Sequence, residues 1–431
     1  MKRWTRHWEL LPAGLVILSG LLAASWYSLQ DYSPPPVVPE ELRAERRPNL
    51  EVAAESAETL LVRGPVVQRV TSRSASILGK PAPGLQNAEF TVTVTPEGEK
   101  PRSAACRYDR ERDTFAARFE DLPPKTICRY EVSAQGGKAG PFHFVTAPED
   151  SDAAFRFAVY GDSCDSRSMH QRIAQAVLAT GPAFVLHAGD LVNHGGRREL
   201  WDSQFFGPAR ELAARVPILP CYGNHEQRSE YLTQLFDLPG DGRNYVYDYG
   251  DLRIIVLDIY GMKSSPQEPG YAWLEGVLKQ KWPGWLVCLF HEPPFRSRAR
   301  PPNATALSTL VPLLERHGVH LVFCGHEHVY ARTKPIAGQA GRRGVVYITT
   351  GGGGQRLHRD VVPREFLAVQ RAAHHYLVVD VTTGRLTVRA ATPDGEVLDR
   401  FALDKDAATP DTLLRSTIRQ EAPADAADPD Y

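Results

Sequence analysis

The sequence predicts an α/β domain that follows a small all-β domain. From Phe155 onward, apolar strand-like runs alternate with amphipathic helical segments, which is the pattern of an α/β layer fold. Between about Leu60 and Thr146, short segments of alternating polar and apolar residues are separated by Pro and Gly turns, which is typical of a β-sandwich. At 431 residues the chain also exceeds the usual size of one hydrophobic core, so two folded domains are expected.

The α/β prediction depends on one helix and a set of buried strands. The helix is predicted around Gln171 to Leu178. The strands are predicted at Phe155 to Tyr160, Phe184 to His187, Ile218 to Tyr222, Ile254 to Leu257, Leu286 to Phe290 and Leu321 to Phe323. The segment from His375 to Leu403 alternates again, so we expect closing strands that finish a second sheet.

The two ends of the chain are predicted to be non-globular. Positive charges precede an uncharged apolar run from Leu10 to Tyr27, so residues 1–30 are predicted to be a signal anchor or a signal peptide. Residues 31–58 form a Pro-rich, charged linker, the β-sandwich occupies 59–150 and the α/β domain 151–403. Residues 404–431 are predicted to be a disordered tail.

These ends predict an extracytoplasmic protein. In either interpretation of the apolar run, the positive flank stays in the cytoplasm and the rest is exported. The protein would then be anchored to the membrane by an N-terminal helix, or secreted or periplasmic after cleavage. The formal net charge of −1 provides no basic field for nucleic acid, so no nucleic-acid partner is implied, and the oligomeric state is left open.

Six cysteines in an exported chain permit disulfides. Cys106 and Cys128 are the pair that falls within the predicted β-sandwich. They are either bonded to each other or two unpaired small hydrophobic residues.

Polar clusters follow the predicted buried strands of the α/β domain. They are Gly161-Asp162, Gly189-Asp190, Gly223-Asn224-His225-Glu226, His291-Glu292 and Gly325-His326-Glu327-His328. Because ligands in α/β sheets bind beyond the carboxyl ends of strands, we expect these clusters to converge on one crevice.

The chemistry of these side chains predicts a pair of metal ions. Two carboxylates, an amide oxygen and three imidazoles suit Zn, Mn, Fe or Co better than Ca or soft copper. Such a set exceeds what one transition-metal ion needs, so we expect two ions about 3.5–4 Å apart that share a carboxylate and a bridging hydroxide. A pair of this kind suits phosphoryl transfer, because it lowers the pKa of the bridging water and neutralises phosphoryl charge.

In their order, the clusters resemble the motif set of the calcineurin-like metallophosphoesterase superfamily, from about Phe155 to Phe401. The resemblance implies a four-layer αββα sandwich that holds two Fe, Mn or Zn ions. The implied substrate is a phosphate mono- or diester, which the metal-bridging hydroxide attacks.

The resemblance also implies a role for each matching residue. Asp162 and His328 would bind the first metal, and Asp190 would bridge both metals as part of the catalytic centre. The second metal would be bound by Asn224, His291 and His326. His225 would be the candidate general acid, which faces the substrate and binds no metal. Glu226, Glu292 and Glu327 are expected to support neighbouring ligands or to lie at the surface.

Two positions depart from the family pattern. Many members have His two residues after the first Asp, where this chain has Cys164. Cys164 would bind the first metal as a thiolate, leave a position for water, or be a spectator while Asn193 or His194 approaches the ion. Purple acid phosphatases have a metal-binding Tyr at the position of Asn193, so we predict that this protein lacks their tyrosinate colour.

The same resemblance gives an interpretation of two further segments. The stretch from Leu122-Pro123-Pro124 to Ala147-Pro148 is similar to the fibronectin-III-like domain that precedes the catalytic domain of purple acid phosphatases. Gly351 to Gly354 lacks the Lys and Ser/Thr of a nucleotide phosphate loop and is expected beside the metal cleft, as in exported relatives.

Two competing hypotheses remain. In the first, the altered first-metal site has abolished catalysis, and the protein is a metal-binding or envelope-interaction module. The retention of His225, which such a module would not need, favours an enzyme. In the second, the β-sandwich binds glycan or protein and determines where the protein is located.

Overall fold

The computed structural model describes residues 60–149, 153–262, 269–405 and 412–418. The predicted membrane segment and linker, residues 1–58, lie outside these ranges. Within the described ranges, none of the helices is long and apolar enough to span a membrane.

The first seven strands form two antiparallel sheets, of order β1-β2-β5 and β4-β3-β6-β7, and together they make the predicted β-sandwich. The strands are β1 Leu61–Gln68, β2 Ala75–Pro81, β3 Glu89–Pro96, β4 Arg102–Arg107, β5 Phe115–Phe119, β6 Ile127–Ala134 and β7 Gly137–Val145. In β3, Phe90, Val92 and Val94 are buried while the threonines between them are partly exposed. This period of two fixes which face meets the core, where Phe90 stacks on Phe115 with ring centroids 4.7 Å apart.

All six cysteines are free thiols. Cys106 in β4 and Cys128 in β6 lie on opposite sides of β3, opposite Phe90 and Pro96 respectively. Six residues of strand separate these positions by roughly 20 Å along the sheet. The disulfide alternative is therefore excluded by the register, and both residues pack as small hydrophobic groups.

The α/β region contains a six-stranded sheet of order β10-β9-β8-β19-β20-β21 and a seven-stranded sheet of order β11-β12-β13-β14-β17-β15-β18. Its strands are β8 Phe155–Tyr160, β9 Val185–His187, β10 Ile218–Pro220, β11 Tyr245–Tyr249, β12 Leu252–Val256, β13 Trp285–Leu289, β14 Leu321–Cys324, β15 Tyr330–Thr333, β16 Ile336–Ala337, β17 Val346–Thr350, β18 Leu367–Arg371, β19 Tyr376–Val381, β20 Arg385–Ala391, β21 Val397–Asp404 and β22 Leu413–Leu414.

Helices and turns of helix connect many of these strands. The α-helices are α1 Arg167–Ala179, α2 Arg198–Leu200, α3 Arg210–Ala213, α4 Tyr231–Leu235, α5 Pro269–Lys279 and α6 Val311–Arg316, with π-helices at Trp201–Phe206 and Ala306–Leu310 and a 3-10 turn at Arg415–Thr417. Helix α1 begins where the Ser166 side chain accepts a hydrogen bond from the Met169 amide, and it buries Ile173 and Val177.

The two sheets pack face to face. Phe157 of β8 meets Phe323 of β14 edge to face, with ring centroids 6.2 Å apart, inside one shared core. The opposite face of the seven-stranded sheet, which includes Ile255 and Val322, packs against Leu274 of α5 in a separate core. The mixed α/β fold and its preceding β-sandwich therefore agree with the prediction.

The closing strands complete the sheet that β8 begins. β19 pairs antiparallel with β8, so that Val379 lies opposite Phe157, and β20 and β21 follow at the edge. The predicted second sheet is thus the six-stranded one, whose first three strands come from the start of the domain.

Residues 412–418 correct the predicted C-terminal tail. β22 pairs in parallel with Ile336–Ala337, Leu413 and Ile418 pack on the core around α6, and Arg415 lies 3.3 Å from Glu315. The prediction of disorder from residue 404 onward is wrong for this segment. Its few apolar residues pack on a surface that is remote in the sequence, and the local composition does not indicate this contact.

The β-sandwich and the first π-helix share a network of largely buried charges. Arg63 Nη1 lies 2.7 Å from Asp202 Oδ1, and Lys80 Nζ lies 2.9 Å from Asp113 and 3.1 Å from Asp202. Arg63 also lies 3.5 Å from Asp113, so two cations meet two carboxylates. Because each charge has an opposite partner, the network fixes Asp202 against the sandwich.

Candidate metal centre

The five polar clusters meet at the carboxyl ends of strands from both sheets. Strands β8, β9 and β10 are parallel to one another, as are β13 and β14, and a cluster follows each strand. Backbone hydrogen bonds tie the clusters together, including Asp162 N to Gly189 O at 2.9 Å and Gly325 N to His291 O at 2.8 Å. The crevice expected from the sequence is present in the fold.

One group of candidate ligands consists of Asp162, Asp190 and His328. Their ligand atoms all lie within 4.8 Å of one another. His328 Nδ1 donates to the Arg356 carbonyl at 2.9 Å, which leaves Nε2 facing Asp162 Oδ1 at 3.6 Å. The two carboxylates are buried.

A second group surrounds the side chain of Asn224. Its Oδ1 lies 3.0 Å from His291 Nε2 and 3.1 Å from His326 Nδ1. His291 Nδ1 donates to the Ala188 carbonyl at 2.6 Å, so its Nε2 faces the centre, where it lies 3.3 Å from Asp190 Oδ2. Asp190 thus touches both groups, as a shared ligand would.

The buried charges of this centre favour bound cations. Burial and the charge of Asp190 raise the pKa of Asp162 well above its ordinary value. Burial likewise raises the pKa of Glu226 to about 7, again assisted by Asp190. Burial opposes ionisation of Asp190 as well, but the adjacent His291 holds its pKa below the ordinary range. The carboxylates of Asp162 and Asp190, together with an amide oxygen and three imidazoles, make a donor set that fits transition-metal ions.

Glycine and left-handed backbone allow the ligands to approach closely. A Cβ at Gly189 would overlap His291 Nδ1, and a Cβ at Gly325 would overlap Asp162 Oδ2. Asp162, Asp190 and His326 themselves have φ of 58°, 55° and 67°. Non-glycine residues rarely adopt this conformation, and such strain concentrates at functional sites.

His225 lies at the edge of the centre, with its side chain 35% exposed. Its amide donates to Asp190 Oδ1 at 3.0 Å, and its Nδ1 donates to the Asn193 carbonyl at 3.1 Å. Nε2 lies 3.9 Å from Asp190 Oδ2. The ring is therefore held by one nitrogen, while the other lies on the side of Asp190.

Cys164 and Asn193 follow the candidate ligands Asp162 and Asp190 in the chain, and each has a hydrogen-bond partner within the protein. The Cys164 Sγ accepts a hydrogen bond from Gln355 Nε2 at 2.7 Å and is not part of the group formed by Asp162, Asp190 and His328 among the described residues. Burial raises the pKa of this thiol well above its ordinary value. The Asn193 side chain lies 3.5 Å from the Cys164 carbonyl, and His194 is exposed.

Two glutamates that follow predicted ligands hold the loops of the centre. Glu226 is buried and accepts hydrogen bonds from the amides of Asp190, Leu191 and Gly223 at 2.7–2.9 Å. Glu327 accepts from the amide and hydroxyl of Ser297. Their supporting role was one of the two expected from the sequence.

The glycine run lies beside the ligands, as the resemblance implied. Gly353 N donates to the Gly161 carbonyl at 2.8 Å, and Gln355 N donates to the Asp162 carbonyl at 2.9 Å. A Cβ at Gly351 would come within 2.9 Å of Asp162 Oδ2.

Gln204 was not predicted from the sequence, because no motif marks it. Its Oε1 accepts a hydrogen bond from the Asn193 amide at 2.8 Å.

Comparison with known proteins points to one group of enzymes. Residues 155–330 match the family model described as calcineurin-like phosphoesterase. Acid phosphatase type 7 of Mus musculus is 26% identical over 324 residues, which are 64% of this chain and 74% of the mouse protein. Purple acid phosphatases 18 and 21 of Arabidopsis thaliana are 30% and 31% identical. Those alignments cover 51% and 54% of this chain, and only 54% and 57% of the plant proteins.

Solved structures support the same fold. Purple acid phosphatase PPD1 from seeds of yellow lupin (Lupinus luteus) superposes with a TM-score of 0.67 at 18% identity, covering 79% of this chain and 74% of that chain. PhoD superposes with a TM-score of 0.63 at 11% identity, covering 81% and 91%.

Proposed function

Since this chain belongs to the calcineurin-like phosphoesterase superfamily through its residues 155–330, we propose that it hydrolyses phosphoric esters at a dinuclear metal centre. The observation that carries the proposal is the contact of Asp190 with both ligand groups. Asp190 Oδ2 lies 3.3 Å from His291 Nε2 of the second group. The ligand atom of Asp190 also lies within 4.8 Å of the ligand atoms of Asp162 and His328 in the first group.

The residues of each group would hold one ion. Asp162, Asp190 and His328 would hold the first, and Asp190, Asn224, His291 and His326 the second, with Fe, Mn or Zn as the candidate metals. When bound, such ions supply an activated water and neutralise charge on the phosphoryl oxygens. The protein contributes a rigid frame, because four of the six ligands, Asp162, Asp190, His291 and His326, are buried. The His291 and His328 rings are each also held by a hydrogen bond to a backbone carbonyl.

His225 would deliver the proton that the departing alcohol needs. Its Nδ1–H is held by the Asn193 carbonyl at 3.1 Å, so a proton on Nε2 is directed into the crevice. Transfer of that proton to the ester oxygen, as the bond to phosphorus breaks, would produce a neutral alcohol. The partly exposed ring is accessible to a substrate, which a buried structural histidine would not be.

The finer architecture and the cellular site belong to the same proposal. The helix-covered face of the seven-stranded sheet supports the four-layer αββα order, and the two-sheet sandwich before it supports a fibronectin-III-like domain at residues 59–150. The apolar run in residues 1–30 supports action outside the cytoplasm, anchored or released. Protease treatment of intact cells that express the full chain tests this, since cleavage of the folded domains requires their exposure.

One observation favours a second candidate function. The hydrogen bond between Gln355 and Cys164 occupies the thiol at the position where many family members have a histidine ligand. A first site that lacks this ligand could bind one ion too weakly for turnover. The protein would then be a metal-binding or envelope-interaction module.

Metal analysis and two nitrophenyl esters distinguish these functions. We expect about two metals per chain and hydrolysis of a nitrophenyl phosphate, a bis(nitrophenyl) phosphate, or both. His225→Ala should retain the metals and lose roughly 100-fold or more in kcat, whereas Asp190→Asn should lose metal as well. His194→Ala, at an exposed neighbouring position, is the control. One metal or fewer with no turnover in Mn, Zn, Fe or Co would establish the module instead.

A further inference from the structure

A cavity of about 410 Å³ opens next to the second ligand group, outside the residues assigned so far to chemistry. Its described lining includes Tyr260 and Glu292, and Glu292 directly follows His291. The hydroxyl of Tyr260 lies 3.5 Å from Asn224 Oδ1, and its ring centroid lies 6.2 Å from that of His291. A single side chain therefore separates the cavity from two candidate metal ligands.

The described wall of the cavity is mostly apolar. Ile259, Met262, Pro301, Pro302 and Leu310 line it, together with the rings of Tyr260 and Tyr271. Burial of an apolar group against such a wall is favourable, and aromatic walls suit planar rings in particular. The volume lies within the range of small-molecule sites, so one ring and its linker fit.

Two oppositely charged residues line the described part of the cavity, and they neutralise each other. Glu292 and Arg296 are its charged lining residues among those described, and Arg296 Nη2 donates to Glu292 Oε1. Both side chains are about 95% buried, so their ion pair is shielded from water. A cavity with a neutralised ion pair and apolar walls does not select a second anionic or cationic group of a ligand.

We propose that this cavity binds the alcohol part of the substrate and selects phosphoesters of uncharged aromatic or branched apolar alcohols. This inference depends on the proposed phosphoesterase function, because that function places the phosphoryl group at the metals beside Tyr260 and Asn224. The alcohol of such an ester is attached one oxygen away from phosphorus. It can therefore reach the cavity along the Tyr260 ring while His225 protonates the same oxygen.

Matched substrates test the proposal. Ethyl phosphate and 2-phenylethyl phosphate have similar leaving groups and differ by one phenyl ring. We expect the wild-type kcat/KM to favour the phenylethyl ester by roughly tenfold or more, through a lower KM. Calorimetric titration with ethylphosphonate and 2-phenylethylphosphonate, which cannot be hydrolysed at the corresponding bond, should show a similar preference in Kd.

Two variants locate that preference in the cavity. Thr309→Trp fills it from a partly exposed position of the second π-helix, and Tyr271→Ala removes an aromatic wall. Both should reduce the phenylethyl-to-ethyl ratio by roughly tenfold, in kinetics and in phosphonate binding. Ser308→Trp, next to Thr309 but exposed and outside the described lining, should keep the wild-type ratio.

The outcomes separate this inference from the function it depends on. An unchanged ratio in folded Thr309→Trp and Tyr271→Ala, or a wild type without preference, would overturn the cavity assignment while phosphate release continues. If wild type hydrolyses neither these two esters nor the two nitrophenyl esters, the proposed function fails, and the phosphonate titrations then show directly whether the cavity selects the phenyl group. Thermal unfolding of each variant verifies that it is folded.

Discussion

At the residue scale, Glu226 determines how the two central loops meet. A carboxylate at this position can accept all of the amide donors around it, because both of its oxygens are acceptors. These donors belong to Asp190 and Leu191 on one loop and Gly223 on the other. Glu226 thus fixes the Asp190 backbone from a fully buried position.

Glu226→Gln should therefore weaken metal binding. One oxygen becomes an NH₂ group directed at backbone N–H donors, which loses hydrogen bonds and adds a repulsive contact. We expect metal affinity to fall by roughly 10–100-fold and the free energy of unfolding by about 1–3 kcal/mol. Competition with a chelator measures the first and urea unfolding the second. Glu275→Gln, whose side chain forms an exposed pair with Lys279, should change neither, and equal behaviour of both variants would contradict the argument.

Cys164 provides a second prediction at this scale. Since its Sγ accepts from Gln355 Nε2 and its pKa is raised by burial, we expect a neutral thiol that is not a ligand. Protein loaded with Co²⁺ should lack a thiolate-to-cobalt charge-transfer band, and Cys164→Ala should keep the wild-type metal content. A band that disappears in Cys164→Ala would show that the thiol binds metal.

At the element scale, the π-helix Trp201–Phe206 supports the loop that holds His225. Trp201 Nε1 donates to the Gly195 carbonyl at 2.9 Å, and Gln204 Oε1 accepts from the Asn193 amide at 2.8 Å. The loop formed by Asn193, His194 and Gly195 makes two hydrogen bonds to His225. The Asn193 carbonyl accepts from the His225 ring, and the Gly195 amide donates to the His225 carbonyl. π-Helical turns are rare and occur frequently at functional sites.

Loss of the Gln204 acceptor should therefore impair catalysis with the metals in place. We expect Gln204→Ala to lower kcat roughly 10-fold, with little change in KM or metal content, because the His225 ring is less well oriented. Gln204→Glu keeps an acceptor oxygen and should recover most of kcat. Gln175→Ala, on the exposed face of α1, is the control. A parallel loss of metal in Gln204→Ala would indicate a general structural role instead.

The same scale shows what could be predicted from the sequence. The ligand clusters were predictable because parallel strands end at a common edge, so Asp162 and Asp190 had to lie close together. The π-helix and Gln204 carry no such signal, because their role depends on which distant backbone they touch. For the same reason, β22 was taken for part of a disordered tail, since its partner Ile336–Ala337 is remote in sequence.

At the scale of the whole molecule, buried histidines should make stability depend on pH. Burial lowers the pKa of His170, His320 and His375 to about 4 each, from an ordinary value of 6.5. Above pH 6.5 these residues are neutral in both states and contribute nothing to the pH dependence. Between pH 6.5 and 4 the unfolded chain takes up protons that the folded chain does not, so stability falls as the pH falls.

His320 allows this effect to be measured in isolation. Its Nδ1 accepts from the Leu286 amide at 3.0 Å, and Asn at this position offers an acceptor oxygen but does not titrate. Urea unfolding should show His320→Asn to be less stable than wild type at pH 7.5. At pH 5 that difference should shift in favour of the variant by roughly 2 kcal/mol. His317→Asn serves as a control, and equal pH slopes in wild type and His320→Asn would contradict the assignment.

The closure of the sandwich core by a later part of the chain has a consequence for biosynthesis. The last sandwich strand ends at Val145, yet Ala214 belongs to the sandwich core and its carbonyl accepts the hydroxyl of Tyr130 at 2.7 Å. During translation, about 70 further residues must therefore be made before this core is sealed, which takes roughly 4–14 s. Throughout that interval the nascent sandwich exposes an apolar opening, and Asp113 is the one carboxylate of the network available to both Arg63 and Lys80. A ribosome that pauses between residues 146 and 214 would present this surface to chaperones and proteases, whereas one that pauses later would not.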